Sequence, residues 1–328
     1  MDFRVTLRST IAVALLSAAA PLAFAQATST TESVPAAPAQ GTPAPAAPAA
    51  PKFPTPDPKN FTAAQPTKEV VDAFLKASWG YDPQRVWQVE AIEKTPAPGI
   101  SKVVVYVASQ QNAQQVATLV FFVTPDGQHL ISNDVLPFGA HPYQEARQML
   151  QAQANGPSKG GASKDVELVE FADFQCPHCK EAQPTIARLL TDFPNAHFVF
   201  QNYPLEGIHP EAFKAAAFGT CVAKLNGNDA FFKYADATFE NQANLTPTGA
   251  EQALSDAVTK AGADPSKVAA CAATPETKAA VEGSVKLAQS LDVNQTPWLF
   301  INGRGLPVNA VPYATLKQIV AYQMQLDK

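Results

Sequence analysis

The stretch Glu170-Phe171-Ala172-Asp173-Phe174-Gln175-Cys176-Pro177-His178-Cys179 decides the fold. It is entered through a short apolar run, Val166-Glu167-Leu168-Val169-Glu170-Phe171, with strand character, and the pattern from Cys176 to Leu190 is helical. Two cysteines at i and i+3 therefore fall on the first turn of a helix that follows a strand. A helix start leaves main-chain N–H groups free and carries the positive end of the dipole, so a thiol there is stabilised as thiolate. Cys176 is expected to be the exposed nucleophile. Cys179, one turn further in, is the thiol that resolves a mixed disulfide. His178 adds positive charge and hydrogen bonding to the thiolate. The rival reading is a metal site built from Cys176, Cys179 and His178. A structural zinc takes four ligands, with a second pair elsewhere, and no second Cys-x-x-Cys or His-x-x-x-His exists. Thiol chemistry, with neither metal nor cofactor, is the expectation.

Downstream, His197–Gln201 reads as a strand. From about Glu206 to Asp292 the pattern is helical, with breaks at Gly227, near Asn244–Pro247 and at Asp264-Pro265. A last strand, Trp298–Ile301, turns at Asn302-Gly303 and leads into a terminal helix over about 314–325. This order predicts an α/β sheet domain over 165–328 that carries an all-helical insertion at about 206–292.

Upstream, a helical pattern over 142–154 runs into Asn155-Gly156-Pro157-Ser158-Lys159-Gly160-Gly161, so 141–164 read as a linker helix and a flexible joint. Residues 61–140 read as a small α+β domain. A helix carries Val70, Val71, Phe74 and Leu75, and antiparallel strands follow at Val86–Ile92, Val103–Ala108, Val116–Thr124 and, after a Pro125-Asp126-Gly127 turn, His129–Ser132. This block has no cysteine, and its His129 and His141 lack ligand partners in sequence, so both are expected on the surface. Residues 26–60 are Ala, Pro, Thr and Ser with nine prolines between Pro35 and Pro58. With almost no large apolar side chain to bury, they read as a disordered tether.

Residues 1–25 carry Arg4 and Arg8, an apolar run from Ile11 to Ala20 and then Ala23-Phe24-Ala25, the order of a secretory signal cleaved after Ala25. The run is shorter than the roughly 20 residues that span a bilayer. A soluble periplasmic or secreted protein is expected, in a compartment where disulfides persist. The formal net charge of −5, with no Lys/Arg-rich block, argues against nucleic acid or an anionic membrane as partner. A chain of 328 residues, 46% hydrophobic, has material for two modest cores.

The decapeptide 170–179 resembles the active-site segment of the DsbA family, thioredoxin-like disulfide oxidases of the bacterial periplasm, and the resemblance extends over about 165–328. It implies that Pro177 and His178 form the oxidase-like dipeptide of the motif. It also implies that Glu170, six residues before Cys176, is a buried carboxylate that accepts protons or tunes the thiols. Pro184 sits where thioredoxin relatives kink the active-site helix. Thr296-Pro297, just before Trp298–Ile301, is similar to the family's cis-proline loop, which offers backbone groups to an extended substrate peptide. An X-Pro bond is cis in only a few per cent of cases, so cis geometry at Pro297 follows from the resemblance. Phe174 and Trp298 either line a substrate groove or belong to the core.

Cys221 and Cys271 lie 50 positions apart within the helical insertion. In an oxidising compartment they most simply form a structural bridge worth about 2–4 kcal/mol, a regulatory disulfide being the alternative. The block Thr124-Pro125-Asp126-Gly127-Gln128-His129-Leu130-Ile131, followed by a linker helix, looks like the small dimerisation domain of the DsbC and DsbG isomerases. Two redox readings stand together: a disulfide oxidase, which the Cys-Pro-His-Cys motif favours, and a dimeric isomerase or reductase, which the domain order favours. A third, from another class, is a chaperone-like binder of unfolded exported proteins whose cysteines matter little. The redox readings imply reduced or misoxidised exported proteins as substrates, an unidentified and membrane-bound redox partner, and for the isomerase a homodimer through the N-terminal domain.

Overall fold

The structure, a computed structural model, describes residues 53–132, 135–162 and 165–326. The expected export signal and the tether as far as residue 52 lie outside the described residues. Two compact units are present: one holds the described residues up to Val71 with Gln84–Phe138, the other Asp72–Pro83 and those from Gly139 onward.

The first unit is an antiparallel meander of β1 (Arg85–Lys94), β2 (Ser101–Ser109), β3 (Asn112–Val123), β4 (His129–Ile131) and β5 (Val135–Pro137), paired in chain order. Its strands alternate as a half-buried sheet requires: Phe121 and Val123 are buried, whereas Val120 and Phe122, which alternate with them, are exposed. The Pro125-Asp126-Gly127 turn forms with Gly127 at φ +67°, and Asp126 Oδ1 accepts from the Gln128 N–H at 2.9 Å. Residues 53–60, which the composition assigns to the tether, are ordered. Phe53 stacks on Tyr106 with ring centroids 6.5 Å apart, Gln88 Nε2 donates to the Pro54 carbonyl at 2.6 Å, and Pro58–Asn60 form a 3-10 turn capped by Asp57. One aromatic side chain anchors a segment whose average composition reads as unstructured.

The second unit is built on a five-stranded sheet in the order β10 (Arg304–Pro307), β9 (Trp298–Ile301), β7 (Glu167–Ala172), β8 (His197–Asn202), β6 (Ser158–Gly160). β7 is buried at every position, pairing parallel with β8 and antiparallel with β9. That central place buries even its two glutamates, Glu167 and Glu170. The helix α2 (Gln144–Gln153), which is the expected linker helix, precedes β6, and α3 (Pro177–Asp192) makes the crossover from β7 to β8. The insertion comprises α4 (Ala212–Asn226), α5 (Asn228–Glu240), α6 (Ala250–Lys260), α7 (Pro265–Ala272) and α8 (Pro275–Ser290), and α9 (Tyr313–Leu326) follows β10. Its breaks come from the expected residues: Gly227 takes φ +85°, and Asp264 caps α7 through the N–H groups of Ser266 and Lys267, with Pro265 in the first turn. A disulfide joins Cys221 on α4 to Cys271 on α7.

Two features differ from the sequence reading. The expected flexible joint is an ordered edge: β6 pairs antiparallel with β8, and a side chain at Gly156 would sit 1.9 Å from the Phe200 carbonyl oxygen. Glycines there permit close backbone approach as well as freedom. The helix expected to open the small domain, α1 (Lys68–Trp79), belongs from Asp72 onward to the second unit. There the buried Arg304 guanidinium donates to the Ser78 carbonyl at 2.8 Å and lies 4.8 Å from the ring centre of Tyr81, while Tyr322 donates its hydroxyl to the Lys76 carbonyl.

Candidate active site

β7 ends at Ala172, and the chain turns through Asp173, Phe174 and Gln175 before Cys176 caps α3 with extended backbone (φ −74°, ψ 119°). Pro177 takes the first helical position, where its missing N–H costs nothing. Cys176 and Cys179 are both free thiols, and both are buried; Cys176 is only 4% exposed, less open than a nucleophile read from sequence suggests. The Thr296 carbonyl lies 3.6 Å from Cys176 Sγ, and the Thr296–Pro297 peptide bond is cis.

The two sulfurs have opposite electrostatics. The Cys176 thiol is lowered to about 5, chiefly by a hydrogen bond from Cys179, with further stabilisation from the Thr296 side chain and from the main-chain N–H groups of Cys179 and His178. Those N–H groups are the free donors of the helix start. The Thr296 hydroxyl is buried and has no hydrogen-bond partner among the described residues. Burial pushes the Cys179 thiol well above its ordinary value, and the neighbouring Cys176 and, more weakly, Glu170 push the same way. Cys176 is therefore an anion near neutral pH and Cys179 keeps its proton.

Glu170 is completely buried on β7, and burial raises its carboxyl to about 7. Gln183 Nε2 donates to Glu170 Oε1 at 3.2 Å and to the Cys179 carbonyl at 3.0 Å, while Glu170 Oε2 has no partner. A carboxyl that shares its proton near neutrality, next to a thiol that must gain or lose one, is suited to proton transfer. His178 is arranged differently from expectation. Its ring is exposed and pairs with Glu181 at 2.9 Å, which raises its pKa, and its main-chain N–H is the group that reaches the Cys176 thiolate.

Several site residues carry no motif signal. The buried Asp173 carboxylate accepts from the Gln175 N–H at 2.7 Å and the Leu205 N–H at 2.8 Å, and His209 Nδ1 lies 2.8 Å from it; the Asp173 N–H in turn points at Cys179 Sγ, 3.4 Å away. Gln183 was within reach of sequence reasoning, because the fourth position after Cys179 falls on the same helix face. His209 was not, since residues 206–211 read as helix and instead form the loop before α4. Phe174 and Trp298 are core residues. Phe174 packs against Phe200, Phe239 and Tyr234 with ring centres 5.2–5.6 Å apart, and Trp298 is 9% exposed. Among the described residues, no three metal-ligating side chains come together.

The family model described as Thioredoxin matches residues 153–321. The chain belongs to the thioredoxin family. Its thioredoxin domain therefore includes β6, the site and most of α9. Among solved structures, it is similar to a periplasmic thioredoxin-like protein of Salmonella enterica serovar Typhimurium, with 21% identity over 55% of this chain and 97% of the other and a TM-score of 0.45. It is likewise similar to oxidised BdbD of Bacillus subtilis (22% identity, 54% and 95%, TM-score 0.46) and to the thiol-disulfide exchange protein alpha-DsbA2 of Wolbachia pipientis (21%, 55% and 94%, TM-score 0.48). Among curated proteins, the Na(+)/H(+) antiporter NhaA 1 of Salinispora arenicola is 31% identical over 153 residues, which is 44% of this chain and 21% of the antiporter. The chain thus spans about a fifth of the length of the curated relatives it matches. Among the described residues, no helix is long and apolar enough to cross a membrane.

Proposed function

We propose that this chain is an exported thiol–disulfide oxidoreductase that donates its Cys176–Cys179 disulfide to exported proteins. The observation that carries the reading is the contrast between the two sulfurs: a thiol at Cys176 lowered to about 5 beside a buried, protonated Cys179. A substrate thiolate attacks Cys176 Sγ of the oxidised pair, the Cys176–Cys179 bond breaks, and Cys179 leaves as a thiolate that takes a proton. A second substrate thiolate then attacks the substrate sulfur of the mixed disulfide. Cys176 leaves as its stable thiolate, and the two electrons stay on the reduced pair. Stabilising that leaving group favours the reduced enzyme. A drop from about 9 to about 5 is worth on the order of 100 mV of oxidising power.

Glu170 is the group suited to supply and retrieve the Cys179 proton, and the Thr296–Pro297 loop is suited to align an extended substrate against the sulfur. A redox partner, expected at the membrane, reoxidises the pair. The experiment is to mix the oxidised protein with a fully reduced multi-disulfide enzyme and, separately, with the same enzyme scrambled. Rapid oxidation with little unscrambling supports the donor reading; efficient unscrambling overturns it.

One observation favours the isomerase reading instead. The first unit exposes Val116, Val120 and Phe122 on β3 and Leu136 on β5, an apolar set suited to a second copy of the chain. A dimer in sedimentation equilibrium that Phe122→Lys dissociates supports this reading; a monomer sinks it.

A further inference from the structure

One side chain of the helical insertion hydrogen-bonds the main chain of the nucleophile. Gln242 lies in the 3-10 turn Gln242–Asn244, between α5 and α6. Its Nε2 donates to the Phe174 carbonyl and to the carbonyl of Cys176 itself, both at 2.9 Å. The flanking contacts come from the same direction: Gln175 Nε2 donates to the Leu245 carbonyl at 2.8 Å, and Lys180 Nζ to the Glu240 carbonyl at 3.3 Å. Gln175 Oε1 accepts from the Glu211 N–H at 2.8 Å on the other side.

A carbonyl oxygen is the negative end of a large dipole, and one belonging to the nucleophile's own residue opposes an anion on that residue's sulfur. In a site screened from water such an interaction is stronger than in bulk solvent. The amide of Gln242 places two N–H donors on these two oxygens and sets positive charge density against each. The identity of the atom matters here, because a primary amide has two N–H bonds, one for each carbonyl. A carboxylate of the same shape has none.

We propose that Gln242 is a positioning residue for the redox centre: by holding and neutralising the Phe174 and Cys176 carbonyls, it keeps Cys176 a thiolate and makes the Cys176–Cys179 disulfide a stronger oxidant. The insertion then acts on the potential of the pair as well as covering it. The role rests on the thiol–disulfide reading proposed above.

The test compares wild type, Gln242→Glu and Gln242→Met by thiolate ultraviolet absorbance against pH and by equilibration with glutathione, with melting temperatures recorded alongside. Gln242→Glu is expected to raise the Cys176 titration by about one unit and shift the glutathione equilibrium about tenfold toward the disulfide. Gln242→Met, which loses the donors without adding charge, is expected to give about a threefold shift in the same direction. Folded variants that titrate and equilibrate as wild type does would overturn the inference and leave Gln242 with packing alone. Should Gln242→Met fail to fold, the near-isosteric Glu variant carries the test. An ordinary thiol titration in the wild type itself would instead count against the thiol–disulfide reading, so the two failures are told apart.

Discussion

Cys176 Sγ lies 3.6 Å from the main-chain oxygen of Thr296, which brings together residues 120 positions apart. The contact sets the motif turn at the end of β7 against the loop that enters β9, two neighbouring strands of one sheet. An extended peptide bonded to Cys176 would meet that loop. The two cysteines therefore differ in access and in chemistry, and their replacements should differ as well. Cys176→Ala is expected to lose more than about a hundredfold in oxidation rate. Cys179→Ala, mixed with a substrate that carries a disulfide, is expected to accumulate a mixed disulfide visible on a non-reducing gel: the Cys176 thiolate attacks one substrate sulfur, the other leaves as a thiolate, and no Cys179 remains to resolve the product. A Cys176→Ala variant with full activity would favour a chaperone-like binder.

Glu170 gives a pH signature. Burial holds its carboxyl at about 7, against an ordinary 4.5. Between those values the unfolded chain has released the proton and the folded chain has kept it, so stability falls as pH rises from 4.5 to 7 and levels off above. Glu170→Gln removes this loss. The variant should match wild type near about pH 4 and exceed it by about 3 kcal/mol near about pH 8, measured by urea unfolding. The same substitution should erase the inflection near pH 7 in the rate at which the reduced pair is reoxidised. A variant whose advantage is equal at both pH values would contradict the buried-acid assignment.

The Cys221–Cys271 bridge ties α4 to α7 within the insertion. Replacing both cysteines by alanine is expected to lower stability by about 2–4 kcal/mol. Redox potential and turnover should stay unchanged. A shift in the potential would revive the regulatory reading.

Gly156 distinguishes an ordered edge from a flexible joint. A Cβ there meets the Phe200 carbonyl oxygen at 1.9 Å and Gln201 Oε1 at 2.3 Å. Gly156→Ala should therefore lower stability by about 1–3 kcal/mol. In a solvated joint the same change would fall within about 0.5 kcal/mol of neutral.

What could be read from the sequence was what depends on local pattern. Residues 166–179 carry strand, turn and helix start in one uninterrupted signal, and Gly227, Asp264 and Pro265 mark their breaks by backbone chemistry. The strands missed, β5, β6 and β10, are three or four residues long, and all three contain proline or glycine, which normally argues against a strand. They exist because a neighbouring strand, β4, β8 or β9, offers hydrogen bonds to pair with. The supporting side chains were hidden for a similar reason. His209 and Gln242 are 36 and 66 positions from the residues they contact, Asp173 and Cys176, and no periodicity reports a contact of that range. Glu170 stands out only through the resemblance of its decapeptide, since nothing in the local pattern marks it; the burial of β7 at every position is the physical reason its carboxyl is unusual.

The most direct measurement is the ultraviolet titration of the Cys176 thiolate in the reduced wild-type protein. The account predicts a single thiolate forming near pH 5, with Cys179 silent throughout the neutral range. Two thiols titrating together near 9 would contradict it, because a site without a stabilised thiolate at Cys176 has no reason to give its disulfide away.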